Sequence, residues 1–375
     1  MKRVLTAFSP KKLATDALRD VLDQLEEEGG FICPLLLIFS SDCDNFGWYS
    51  KMLANSYDGA VVIGTTSHMM YTGKRSSMTG LSVMAIMSGI SVTSGVLQEA
   101  SRFPGQYKGV IQEAYNEIGT DENTVCLEFN ASEAPSEELV MDTFGEVLRD
   151  TKVRLIGCTA AKQDSPKMPS AVSLNGVVYM DAAVFALVHN ENGAISIVRE
   201  NIFNETEHSF VATDVDCSIR RVYEFDHVPA SAAVAKALKI QPEDIPKKAF
   251  YHPLGRKRSE SLSVMGIDKI HEDGSMSFFT RIYKQTRVYL LRPVESLKDT
   301  WKETAGKVHK EIQNPSFSFV VSCYSRTKYF LEIGENNDFT QLLDSEYGDY
   351  IGVSVHGEQM DFEHLNQTML IVAFE

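Results

Sequence analysis

Apolar residues come in short unbroken runs, and segments of helical spacing lie between them. Pro34 to Ser41, Ala60 to Ser67 and Gly80 to Met87 each have the length of a strand and lack polar alternation. Such runs predict strands buried on both faces, in a sheet covered by helices. Val4 to Phe8 reads as a shorter strand. Leu13, Ala17, Leu18, Val21, Leu22 and Leu25 recur at helical spacing, predicting a helix from Leu13 to Glu28 that ends at Gly29-Gly30. A second helix is expected over Phe46 to Ser56.

The same order returns twice. Thr124 to Asn130 is a predicted strand. Ser136 opens a helix reaching about Arg149, with Glu137 and Glu138 in the first turn, where carboxylates complement the helix dipole. Val153 to Ala160 follows as a strand, and a loop and Gly176 to Tyr179 lead to the strand Asp181 to Val188. Near the C-terminus the order is strand (Phe317 to Arg326), helix (Asp338 to Tyr347), strand (Tyr350 to Gln359) and strand (Asn366 to Phe374). Ile63-Gly64-Thr65-Thr66, Ile156-Gly157-Cys158-Thr159 and Ile351-Gly352-Val353-Ser354 align, with glycines 93 and 195 residues apart. We read a repeated strand–helix–strand–loop–strand unit, with convergent strand-end chemistry as the alternative. A crossover of about 25–30 residues suits a right-handed βαβ connection.

The region between the second and third units differs. Ile195 to Asn201 and Ile219 to Phe225 read as strands, Pro229 to Lys239 as a short helix, and Ala249 to Arg258 as loop. Ser263 to Ile270, Ser275 to Tyr283 and Arg287 to Leu291 are predicted strands, and Ser296 to Ile312 a helix. The fold class expected is α/β, with repeated units in mixed sheets and two domains, 1–215 and 216–375.

Composition narrows the function. The 375 residues carry a formal net charge of −15 and a pI of about 5.1, which disfavours nucleic acid and anionic lipid as partners. Six cysteines show no Cys-x-x-Cys spacing and mostly border apolar runs, as buried thiols in a reducing compartment do. No signal-type apolar region follows Met1-Lys2-Arg3, because Lys11, Lys12 and Asp16 intervene. No run approaches the ~18 apolar residues that cross a bilayer. A cytoplasmic protein is expected.

Candidate chemistry gathers past the predicted strand ends, where α/β sheets place their sites. Ser322-Cys323-Tyr324-Ser325-Arg326, Gly352, Gly357-Glu358 and Asn366-Gln367-Thr368 follow one another in order. With this spacing the chain resembles the FIST family of intracellular sensor domains, whose C-terminal domain carries a Ser-Cys-x-x-Arg motif. Residues 217 to 225 with Pro229-Ala230 resemble the opening of that domain. Gly64-Thr65-Thr66 keeps part of an N-terminal family pattern and lacks its Cys, Gly and Glu. The resemblance implies a two-domain ligand sensor without catalysis, binding a small molecule such as an amino acid. It also implies signalling in trans to a kinase, chemoreceptor or cyclase. Some family members are reported to bind haem and respond to nitric oxide, and His68, His356 and His364 are the histidines near motifs.

The expected ligand-binding residues are Ser322, Cys323, Arg326, Gly357, Glu358, Asn366, Thr368, Thr65 and Thr66. Arg326 would fork a ligand carboxylate and Glu358 would receive its ammonium; the alternative is that the two pair with each other or face solvent. Cys323 or Glu358 serving a hydrolase or transferase is the enzymatic alternative, and a scaffold without a pocket is the third. No zinc or calcium spacing, Gly-x-Ser-x-Gly, P-loop or dinucleotide fingerprint occurs. The basic stretch Lys247, Lys248, Arg256, Lys257, Arg258 reads as a solvated loop.

Overall fold

The computed structural model describes residues 3–27, 32–118, 122–132, 135–162, 168–258 and 261–375. The expected Gly29-Gly30 helix stop lies outside them. The repeat is present three times, and each unit is larger than the sequence suggested. Unit 1 runs Val4–Ser9, helix Ala14–Glu27, Leu35–Ser40, helix Phe46–Ser56, Val61–Thr66, a hairpin of Met69–Thr72 and Arg75–Ser77, then Leu81–Ile86. Unit 2 runs Ile90–Gln98, helix Lys108–Ile118, Thr124–Asn130, helix Glu137–Leu148, Arg154–Thr159, a hairpin of Val172–Leu174 and Val177–Tyr179, then Ala182–Asn190. Unit 3 opens with Ile195–Asn201 and continues at helix Leu297–Glu311. It then runs Phe317–Cys323, helices Tyr324–Ile333 and Asn336–Glu346, Asp349–Val355, a hairpin of Gly357–Met360 and Glu363–Leu365, and Thr368–Phe374.

Each unit forms the core of a six-stranded mixed sheet, with one parallel pair at its centre and antiparallel neighbours outside it. The hairpin does not stay in its own unit. The hairpin of unit 2 pairs with Val61–Thr66 of unit 1, that of unit 3 with Arg154–Thr159 of unit 2, and that of unit 1 with Asp349–Val355 of unit 3. The exchange closes a ring. Its joints are matching backbone bonds at the strand tips: Ala161 N–H to Thr66 O at 3.0 Å, His356 N–H to Thr159 O at 3.1 Å, and His68 N–H to Ser354 O at 2.8 Å.

Alternation along the strands explains the packing. Leu35, Leu37 and Phe39 face inward with Leu127, Phe129, Phe319 and Val321, in one core shared by all three sheets. Phe39 stacks on Phe319 at 5.4 Å, and Phe129 meets both rings edge-on at 5.6 and 5.9 Å. Leu36 and Ile38 face outward, under the helix that buries Ala17, Leu18, Val21 and Leu25. Each such side chain contributes roughly 1.5–3 kcal/mol when fully buried, so both faces must be apolar and the runs show no alternation.

Residues 203–293 form an insertion in unit 3 with its own core, built on Phe210, Phe225, Val234, Met276 and Leu290. Its strands complete a further sheet around the long strand Phe203–Asp216. Several segments differ from expectation. Ala249 to Arg258 was expected to be loop, but Leu254–Arg258 is a strand between Ser261–Met265 and Arg287–Pro293. Arg326 lies in a helix rather than on a strand end. The segments over 69–77, 90–98 and 108–118 had no predicted elements.

Candidate functional site

The strand tips of units 2 and 3 point to the same end of the ring as the insertion, and a cavity of about 530 Å3 lies between them. Thr159, Cys323, Tyr324, Asn366 and Gln367 line it from the tips. Phe250, Ile267 and Phe279 line it from the insertion.

The repeat supplies an internal comparison. Gly64, Gly157 and Gly352 occupy equivalent places in the second strand, opposite Ile38, Glu128 and Val320 of the first. On the other side they meet Ser173, Gln359 and Tyr71 of the exchanged hairpins. Two junctions are closed. Ser173 Oγ accepts from Ser50 Oγ at 2.9 Å, and Tyr71 OH pairs with Thr327 Oγ1 at 2.8 Å. The third is polar and open-ended. Glu128, Gly157, Gln359 and His364 form one register row across the sheet. A Cβ at Gly157 would strike the Glu128 carboxyl and come within 3.1 Å of Gln359 Oε1, so both side chains lean over the glycine. Gln359 Nε2 donates to Thr159 Oγ1 at 2.9 Å and sits 3.4 Å from His364 Nδ1. Both Glu128 oxygens, Gln359 Oε1, Asn130 Nδ2 and Ser132 Oγ are buried without hydrogen-bond partners. Most buried polar groups in proteins are hydrogen-bonded, so a cluster of this kind calls for a physical explanation.

Burial, then the nearby Glu137, pushes the Glu128 carboxyl well above its ordinary range. Burial pulls the His364 ring down. Arg220, in a left-handed backbone conformation (φ 52°), carries the insertion onto this wall. Its Nη2 donates to Glu137 Oε2 at 2.7 Å and also to Glu138. Glu138 Oε1 in turn accepts from the Arg281 amide at 3.0 Å.

The expected ligand residues fall into three groups. Cys323 and Asn366 line the cavity. Asn366 Oδ1 also accepts from the Gly266 amide of the insertion at 3.2 Å. Gly357, Glu358 and Thr368 form the layer behind. A side chain at Gly357 would collide with the His364 ring, so the glycine serves close approach, not positive φ. Glu358 accepts from Thr368 Oγ1 at 2.6 Å and from its amide at 3.2 Å, and burial raises its carboxyl to about 8. Burial, then the carboxyl of Glu358, pushes the Cys323 thiol far up, the direction that favours the thiol over the nucleophilic thiolate.

Thr65, Thr66, Ser322 and Arg326 lie away from the cavity lining. Thr66 Oγ1 accepts from the Ala171 amide at 3.0 Å and holds the loop entering from unit 2. Thr65 Oγ1 donates to Thr66 O at 3.2 Å. Arg326 is fully buried. It is ion-paired with Glu200, donates to Ser322 Oγ at 3.3 Å, and lies between the rings of Phe330 and Phe339 at 4.5 and 4.8 Å. It does not pair with Glu358. His68 meets the Tyr324 ring edge-on at 4.4 Å, and Tyr324 lies 5.6 Å from His356.

Glu128, Gln359, Arg220 and the aromatic wall had no predicted role. One signal was available: Glu128 interrupts an apolar strand run at the position where the aligned units carry Ile38 and Val320.

Comparison with known proteins gives two family-model matches, FIST N domain over residues 34–228 and FIST C domain over 230–361. An uncharacterized protein of Methanocaldococcus jannaschii is 25% identical over 259 residues. The match covers 63% of this chain and 46% of that protein, so it spans about half the relative's length.

Proposed function

This chain belongs to the FIST family of signal-transduction sensor domains, and on that premise we propose that it senses a small molecule held in the cavity beside the Glu128–Gln359–His364 row. The observation that carries the proposal is the contrast among three equivalent junctions. In the glycine row, two are closed by side-chain hydrogen bonds; the third keeps unpartnered polar atoms there, beside a cavity of about 530 Å3. That volume lies within the range of small-molecule sites. We take 1–215 as the N-terminal sensor domain and 216–375 as the ligand-binding domain, with the cavity drawing walls from both. A ligand that prefers one setting of the insertion against unit 2 would shift that equilibrium, and a partner in trans would read it.

An amino acid held at both ends needs two charged groups free to meet it. Arg326 and Glu358 are occupied elsewhere, so the proposal widens to metabolites in general. Among the described residues, no helix is long and apolar enough to cross a membrane. We expect the protein to act in the cytoplasm.

The test is a melting screen of amino acids, other metabolites and haem. A true ligand at 100 times its Kd adds about 2.7 kcal/mol to stability. Gln359→Leu should reduce that shift, read against the variant's own ligand-free melting temperature because the bond to Thr159 Oγ1 is also lost. A hit whose shift survives Gln359→Leu unchanged would place binding elsewhere, and a screen without hits would count against the sensor reading.

A further inference from the structure

The chemistry of the cavity wall narrows what the cavity can hold, on the reading that this cavity is the sensor site. The charged residues among the described lining cancel one for one. Arg220 is held by Glu137 and, just outside the lining, by Glu138, and Asp268 and Lys269 stand exposed side by side at the rim. His364 and His356 are both held below their ordinary value, first by burial. Of the unpartnered groups, Ser132 Oγ stands at the wall, and behind it lie Gln359 Oε1, Asn130 Nδ2 and the Glu128 carboxyl, which burial pushes toward its neutral form. The opposite wall is apolar, from Phe250, Phe279, Ile267, Ala249 and Pro246.

We infer that the ligand is an uncharged amphipathic molecule, with a flat apolar body against Phe250 and Phe279 and a neutral amide-like or lactam-like head toward the Ser132–Gln359 side. A charged ligand would shed its hydration here against lining charges that are already paired; the nearest other cation, Lys328, lies over the rings of Phe250 and Tyr324 at 5.4 and 5.6 Å and outside the lining, so the lost hydration is poorly repaid. Size points the same way. A cavity of about 530 Å3 suits a molecule of about 20 non-hydrogen atoms. A free amino acid would leave much of it void and forgo contact with the aromatic wall.

Nile red and Nile blue test this directly, because the two dyes share a flat ring system and differ chiefly in charge, neutral against cationic. Fluorescence titrations at pH 7 would compare them on the whole chain, with anionic anilinonaphthalene sulfonate as a third probe. Nile red should bind saturably with one site per chain. Nile blue and the sulfonate should each bind at least about tenfold more weakly, the effect of one uncompensated charge at the low end. Phe279→Asp should weaken Nile red and shift the preference toward Nile blue. Phe250→Ser is the second variant, and each is first checked for an unchanged melting curve.

Nile blue or the sulfonate binding as tightly as Nile red, with sensitivity to Phe279→Asp, would overturn the uncharged class and leave the sensor site standing. Absence of binding by all three dyes, or Nile red binding that ignores both variants, would overturn the inference itself. The metabolite melting screen then judges the sensor reading separately.

Discussion

Glu128 has no role in holding its sheet together. Its counterparts Ile38 and Val320 pack apolar surface at the same place, whereas its carboxyl is buried with neither oxygen bonded. Glu128→Leu should therefore stabilise the fold, by about 1–3 kcal/mol, the usual cost of an unsatisfied buried group. Its raised carboxyl makes the gain grow with pH, because the native state must hold a proton that the unfolded chain releases. Urea unfolding at pH 5 and pH 8 would measure both, and a variant weaker than wild type at pH 8 would refute the idea. Glu358 gives a bounded window. Between its ordinary 4.5 and about 8 the native state keeps a proton that the unfolded chain has released. Stability should fall across that interval and level off above it, by an amount on the order of 5 kcal/mol if this group acted alone. Glu358→Gln, which still accepts from Thr368, should flatten the decline. Cys323 and Asn366 were legible as small polar residues past apolar runs. The partner of Arg326 was not, because Glu200 lies 126 residues earlier and no local pattern links them.

Continuous apolar runs are legible as strands, whereas short strands and long ones of mixed burial, such as Ile90–Gln98 and Phe203–Asp216, are not. Leu35–Ser40 is buried throughout and its sequence says so. The exchanged hairpin strands are three or four residues long, too brief for any period, and the one at 69–77 looked like a polar loop. The helix Tyr324–Ile333 escaped because much of its inner face is polar, with Arg326 and Thr327 buried there. Its anchor is the Arg326–Glu200 pair, fully buried at both ends. Arg326→Met should destabilise by about 3–5 kcal/mol, since it strands a buried carboxylate. Adding Glu200→Leu should restore much of that loss. Denaturant midpoints of the single and double variants would decide it; additive losses would mean that the pair is not what holds the helix. The strand glycines bear a comparable constraint. A Cβ at Gly64 would lie 2.5 Å from Ile38 O, so Gly64→Ala must push apart the central parallel pair of unit 1.

At the scale of the molecule, the two family segments interlock instead of standing side by side. Residues 1–228 on their own would lack the strand that receives the 69–72 hairpin and the hairpin that covers Arg154–Thr159. Open sheet edges of that kind invite aggregation. We expect this fragment to be insoluble or to melt without cooperativity, and the full chain to unfold in one transition. A soluble fragment with a sharp calorimetric peak would contradict that. The threefold order was legible from the aligned Ile-Gly strands, but the exchange was not, because a hairpin's sequence does not name the sheet it joins.

The ring of donated hairpins also sets a timetable. Ser77 leaves the ribosome 272 residues ahead of Asp349, where the sheet edge that will receive its hairpin begins. At ordinary synthesis speeds that delay is roughly 15–55 s. Through all of it the earliest-made hairpin waits unclaimed, so the first third of the protein matures only once the last third has been translated.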